Sequence, residues 1–401
     1  MVRGVAEVVI VGGGIAGVTA AAALAERGIG VTLLEQSRLA SAASGENTGT
    51  LLQQTEPEVA AMLRETVAIY EELAEGPIDF GFARYEELLL ARDENQLERA
   101  HAKARAFVTA GIRAERMTAE ELAAAHPYLA PAAGGVLVAD TYAVEPEATV
   151  QAFAARARQA GAEIRTRCRV VQVHPGRGVL TDAGALRADI VIVATGPWLA
   201  DLLPTAPVRG GRGWLLRTDP LPFPLECMIE ELSWPDQDVL GAVGAPRRLA
   251  DLAEGRTDPP LADAVFLCPR RDGGALVGAS MTLSLDAVPE GADMPGRLAS
   301  RAVAAAPGLA DVGVRRAWSG LRPTAPDGLP VVGRVPGSDG LLVHGGHTSL
   351  GMQAAPATAA RLADEICGRP VPDWYRTLDP GRFPEFRPVL PRTRPEELWQ
   401  L

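Results

Sequence analysis

The chain predicts an α/β fold in which a Rossmann-like domain is assembled from separated stretches and a second, mainly antiparallel β domain is inserted between them. Three observations carry that expectation. EVVIV near the start is followed by the turn GGGIAG, the alanine-rich VTAAAALAERG and the apolar VTLLEQ, the strand, turn, helix, strand order of a βαβ unit. Two further buried-strand patterns, DIVIVATGPW and GLLVHGG running into an alanine-rich helix, come much later. Between them, 204–311 is rich in proline, glycine and short apolar runs such as AVFLCP and GALVGAS, as strands joined by turns would be. The expected division is 1–80, 143–205 and 312–370 for the first domain, 81–142 and 206–311 for the second, and 371–401 as a tail.

Taken in order, 56–75 reads as a long helix and 79–92 as short strands. Residues 93–126 look helical with polar spacing, and GGVLVADTYAVEP returns to strand and turn. A helix over 146–160 and a strand IRTRCRVVQV follow. No repeat or low-complexity segment interrupts the chain.

The 401 residues carry a net charge of -11, with Lys103 the only lysine, which speaks against nucleic acid and anionic membrane as partners. Cys168, Cys227, Cys268 and Cys367 lie far apart with no C-x-x-C pair, so neither a disulfide framework nor a metal site is expected. No apolar run approaches the roughly 18 residues of a membrane span. The first strand leaves no room for a signal peptide. These features predict a cytoplasmic protein.

Gly12, Gly14 and Gly17 form G-x-G-x-x-G between the first strand and helix. The first permits a tight turn, the second lets backbone approach a pyrophosphate, and the third lets helix and sheet pack closely. Ile15 and Ala16 would bring N–H groups of the helix start to the phosphates. Glu35 closes the second strand, where its carboxylate can accept from a ribose diol, with Gln36 beside it. This constellation predicts a dinucleotide.

Taken with ASGENTG, VIVATGPW, and WSGLRPTAPDGLPVVGR followed by GGHTSLGM, the first motif resembles the D-amino acid oxidase and glycine oxidase superfamily of FAD-dependent oxidoreductases. That superfamily includes sarcosine oxidase-like and D-amino acid dehydrogenase-like enzymes. The resemblance spans nearly the whole chain, and the ordered G-L-R-P, P-D-G-x-P and G-H-x-x-x-G elements are its most specific part. It implies FAD, with Ser44, Gly45, Asn47 and Thr48 along the flavin and pyrophosphate, Val170 offering backbone to adenine, and Thr195 and Gly196 passing close to the dinucleotide. Gly346, Gly351, Met352 and Gln353 would approach the flavin ring, where a helix N-terminus suits a reduced, anionic flavin. Gly320 stands where sarcosine oxidase-like members place a flavin-linking cysteine, so the FAD should be non-covalent. GGALVGASM has no counterpart of their oxygen-activating lysine.

Arg322 in G-L-R-P resembles the arginine that holds a substrate carboxylate; the alternative is an arginine tied to Asp327. His347 is placed beside the ring, either in catalysis or as a structural hydrogen-bonder. Ser349 stands where glycine oxidase-like members carry a second substrate arginine. Trp214 and Trp198 either approach the flavin or pack in the core. Glu230, Glu231 and Trp234 fall in the segment expected to shape the substrate pocket. The implied reaction takes a hydride from the amine-bearing carbon of an amino acid or related amine to flavin N5, giving an imine that hydrolyses. Oxygen or another acceptor reoxidises the flavin. A 2-hydroxy acid as substrate, and a non-catalytic FAD-binding subunit, are the alternatives.

Overall fold

The computed structural model describes residues 7–232, 262–281 and 293–387. A six-stranded sheet runs in the order Val331–Arg334, Leu341–Gly345, Ile190–Val193, Glu7–Val11, Gly30–Glu35, Glu163–Thr166. Its neighbours are parallel except for the first pair. The central strands are continuous runs of valine and isoleucine because both faces are covered, and Val8, Val9, Ile10 and Val11 are all buried. Stretches far apart in sequence thus meet in one sheet, as the repeated strand patterns predict.

The helix Ile15–Ala25 packs against both Pro146–Gln159 and Gly351–Ile366. Nearly all of it is buried, so its alanines let the neighbours approach closely. The closing helix Gly351–Ile366 contains Pro356, which has no N–H to give to the carbonyl of Met352. The hydroxyl of Tyr70, from the helix Pro57–Ala74, donates to that carbonyl instead at 2.8 Å. A sequence defect in one helix is therefore repaired by another.

A second sheet has nine strands and is antiparallel apart from the pairing of Met228–Glu231 with Ala83–Ala91. Its edge strand Val314–Thr324 pairs along its length with Arg209–Thr218. Two-residue alternation puts Gly213, Leu215, Gly320 and Arg322 on the face lining a large cavity. Trp214 points the other way, into the apolar cluster with Leu298 and Ala302 of the helix Met294–Ala305. A small antiparallel sheet of Val170–His174, Gly178–Thr181 and Gly184–Arg187 completes the β structure among the described residues.

Three local expectations change. The 93–126 stretch is a helix Glu94–Thr109, a strand Ala114–Thr118 and a short helix Ala119–Ala125. Gly111, at φ +80°, turns the chain after the first helix, and the mostly exposed strand keeps the polar spacing that imitates a helix face. The run 164–173 breaks into Glu163–Thr166 and Val170–His174 at Arg167, whose φ is +56°. The helix Met294–Ala305 interrupts a region expected to be β; its Leu298, Ala302 and Ala305 make one buried stripe. No helix among the described residues is long and apolar enough to cross a membrane.

Candidate active site

A cavity of about 720 Å³ runs from the first glycine turn to the face of the second sheet. Of the residues expected in the site, it is lined by Gly12, Gly14, Ile15, Ala16, Glu35, Gln36, Ser44, Asn47, Thr48, Val170, Thr195, Gly196, Trp198, Arg322, His347, Ser349, Gly351 and Met352. At the nucleotide end Gly12 has φ +117°, and a Cβ there would strike the carbonyl of Ala194. Both carboxylate oxygens of Glu35 accept backbone N–H groups, from Gly13 and Ser37, each at 2.7 Å. Ile15 N donates to Ser44 Oγ at 2.9 Å, which pins the 44–49 loop across the helix start; this N–H is therefore taken up within the protein rather than turned to a phosphate, a correction to the sequence expectation for Ile15.

That loop is braced from within and behind. The Asn47 amide donates to Ala43 O and Ser44 O, and its carbonyl accepts from Gly49 N. Asn47 therefore shapes the loop rather than offering its amide outward, a correction to the sequence expectation. The buried Arg270 donates to the carbonyls of Thr48 and Val144, tying the loop to the second sheet. Nothing in the local sequence pointed to Arg270, because its partners are carbonyls distant in the chain.

Five expected residues do not line the cavity. Gly17 is needed for packing, since a Cβ there would meet Gly12 O, and Gly45 is needed in the same way against Ala40 O. Gly346, at φ +67°, lies against Val331 and Val208. The buried Gln353 accepts from Leu52 N at 3.0 Å. Trp214 faces the opposite side of its sheet, as the strand period dictates. Of the acids in the pocket segment, Glu231 pairs with Arg92 at 3.6 Å and Glu230 meets the buried Glu87, whose carboxyl is raised well above its usual range by burial and by that neighbour. Neither lines the cavity. Trp234 lies outside the described residues.

Arg322 is half-buried, and the one hydrogen bond it makes among the described residues is from Nη1 to Ser280 O at 3.1 Å. Asp327 is held by Arg382 at 2.7 Å, so it does not neutralise Arg322. Desolvation pulls the guanidinium down to about 10, which leaves it charged at neutral pH. A side chain at Gly213 would run into this guanidinium, so the bare glycine makes room for it. A partly desolvated cation facing a cavity, with no acidic partner among the described residues, gains when an anion joins it.

At the closing turn His344 Nδ1 lies 2.9 Å from Ala16 O and must donate to it. Its Nε2, 2.8 Å from Thr358 Oγ1, then accepts from that hydroxyl, leaving Thr358 to accept from His347 Nε2 at 3.2 Å. Burial pushes His344 down to about 4 and His347 well below its ordinary value, so both rings are neutral. His347 therefore brings no positive charge to the cavity. Of its two sequence-based roles the geometry supports the structural one; His344 and Thr358, its partners, went unnoticed because their link crosses from strand to helix.

The lining fits FAD. A glycine turn, an acid at the end of the second strand and a helix N-terminus occupy one end, and the hydroxyl of Thr195 in the cavity wall is buried with no hydrogen-bond partner among the described residues. A family model described as FAD dependent oxidoreductase (DAO) matches residues 7–365. Glycine oxidase of Pseudomonas aeruginosa is 33% identical over 200 residues, covering 48% of this chain and 45% of that protein, so the match spans less than half of that relative. Glycine oxidase of Geobacillus kaustophilus is 27% identical over 381 residues, covering 90% of this chain and 92% of that one. The solved glycine oxidase of Bacillus cereus superposes with a TM-score of 0.78 at 23% identity, covering 92% and 97% of the two chains, a likeness of fold. The chain belongs to the DAO family of FAD-dependent oxidoreductases.

Proposed function

We propose that this DAO-family flavoenzyme oxidises an amino acid, or a related amine bearing a carboxylate, at the carbon attached to nitrogen, giving an imine that hydrolyses to a keto acid or aldehyde. Arg322 carries the reading: a half-buried, charged guanidinium in the cavity wall, free of any acidic partner among the described residues, is complementary to a carboxylate. Relatives named glycine oxidase and D-amino acid dehydrogenase support it. Bound FAD supplies the hydride acceptor. The chain's task is then position. Arg322 fixes the carboxylate, and Gly213 and Gly320 make room in the cavity wall for its guanidinium and for the 44–49 loop. Gly12, Gly14, Glu35, Ser44, Thr195, Gly351 and Met352 would hold the cofactor, without a covalent link because Gly320 offers no nucleophile. The neutral His347 keeps the ring end of the site free of a competing cation. Ser349, with no charge, leaves Arg322 as the carboxylate anchor. Oxygen or another carrier accepts the electrons, and the four free cysteines support a reducing, cytoplasmic setting.

The test is anaerobic mixing of the purified holoprotein with D- and L-amino acids, N-methyl amino acids and 2-hydroxy acids. Bleaching of the flavin absorbance by an amine is expected, and readmitted air then separates oxidase from dehydrogenase. Bleaching by hydroxy acids alone overturns the reading.

A further inference from the structure

Glu46 sits among the small polar residues of the 44–49 loop and lines the cavity. Its oxygens face different surroundings. Oε1 lies 3.6 Å from Arg316 Nη2, and the Arg316 guanidinium is stacked 4.5 Å over the ring of Trp318. Trp318 Nε1 in turn donates to the backbone carbonyl of Glu46 at 3.3 Å. Oε2 lies 3.8 Å from where a Cβ on Gly320 would stand, beyond the carbonyl oxygen and Cβ of Glu46, which come within 3.2 and 3.3 Å of the same point. Gly320 is the direct cross-strand partner of Gly213, the glycine beneath the Arg322 guanidinium. A carboxylate and a guanidinium thus flank one pair of glycines, whose cross-strand spacing is about 5 Å. No ion pair joins Glu46 and Arg322 among the described residues: Arg316 engages Oε1 of Glu46, which leaves its Oε2 and the Arg322 guanidinium for a ligand.

Resting on the amine-oxidising reading above, we propose that Glu46 selects substrates carrying an ammonium group: its Oε2 pairs with the cationic nitrogen of an amino acid whose carboxylate is held by Arg322. Two charge-assisted hydrogen bonds of about 2.8 Å, one from each end of the charged head of an α-amino acid, would join the two side chains through the substrate. A 2-hydroxy acid would bring its carboxylate to the same place with no cation for Glu46. The charged groups acting on Glu46 are Arg316 from the edge strand and Arg38 from the segment after Gly30–Glu35. Burial nevertheless raises its carboxyl, so the carboxylate is poorly hydrated and gains from a cationic ligand.

The experiment compares matched pairs, glycine with glycolate, alanine with lactate and glutamate with 2-hydroxyglutarate, each chiral member in both hands, by anaerobic flavin reduction in wild-type holoprotein, Glu46→Gln and Arg316→Gln. Benzoate, a carboxylate without an amine, is titrated against the flavin absorbance of each. The proposal expects Glu46→Gln to narrow the amino-over-hydroxy preference at least tenfold while benzoate affinity changes less than twofold. Arg316→Gln, which removes the brace but keeps the carboxylate, should largely retain the preference. An unchanged preference in Glu46→Gln, or an equal collapse in both variants, shows that Glu46 only braces Arg316 and overturns the proposal. Wild type reduced by no amine would instead sink the amine-oxidising reading itself, a separate and recognisable failure.

Discussion

At its nucleotide end the cavity is walled by backbone: Gly12, Gly14 and the start of Ile15–Ala25, with Glu35 and Ser44 spending their oxygens on neighbouring N–H groups. At the far end the wall is made of side chains that carry or suppress charge, namely Arg322, Glu46 and the His344–Thr358–His347 chain. A backbone wall tolerates almost no added atom, as the contacts a Cβ on Gly12 would make show. A side-chain wall can be retuned one residue at a time, and it is there that we propose the substrate is recognised.

The largest expected effect breaks the backbone end. Gly12→Ala places a Cβ against the carbonyl of Ala194 at a φ strained for alanine. Such strain alone costs about 1–3 kcal/mol. The variant should purify without flavin and bind added FAD more than about 100-fold more weakly, at about 1.4 kcal/mol per factor of ten once the collision is added; a yellow protein of normal affinity would contradict the backbone account.

At the other end Arg322→Ala should retain FAD but weaken substrate binding by roughly 100-fold or more, as expected for truncating one partner of a buried charge pair. The substrate dependence of anaerobic flavin reduction measures this. Loss of flavin with substrate affinity intact would assign Arg322 to the cofactor.

The histidine chain predicts a pH dependence of stability. Unfolded His344 takes a proton near 6.5, whereas the folded ring does so only at about 4. Between those values the unfolded state binds more protons, so stability is complete above the upper value and falls with pH through the window, by about 3 kcal/mol for this one residue. Urea titrations of the apoprotein at pH 7 and pH 4.5 should show the loss. Thr358→Val should lower stability by roughly 1–3 kcal/mol at pH 7 by leaving buried ring nitrogens without partners.

The smallest effect tests sheet parity. Trp214→Phe, on the face away from the cavity, should change FAD and substrate affinity less than about twofold, since residues without shared partners act nearly independently. A tenfold change in reduction by substrate would place Trp214 in the site after all.

Much of this was legible in sequence for a reason of scale. Gly12, Gly14, Gly17, Glu35 and Ser44 act through backbone geometry set within a few residues, and the 3.6- and 2-residue periods fixed most elements around them. By itself the sequence determined an α/β fold with a nucleotide-type glycine turn and its family, because each depends on local spacing or ordered motifs. Only the tertiary structure decided that Asp327 belongs to Arg382, that Trp214 faces away from the cavity, and that Glu46 stands over Gly320. Each of these depends on which distant strand lies alongside, and a linear pattern carries no record of that register.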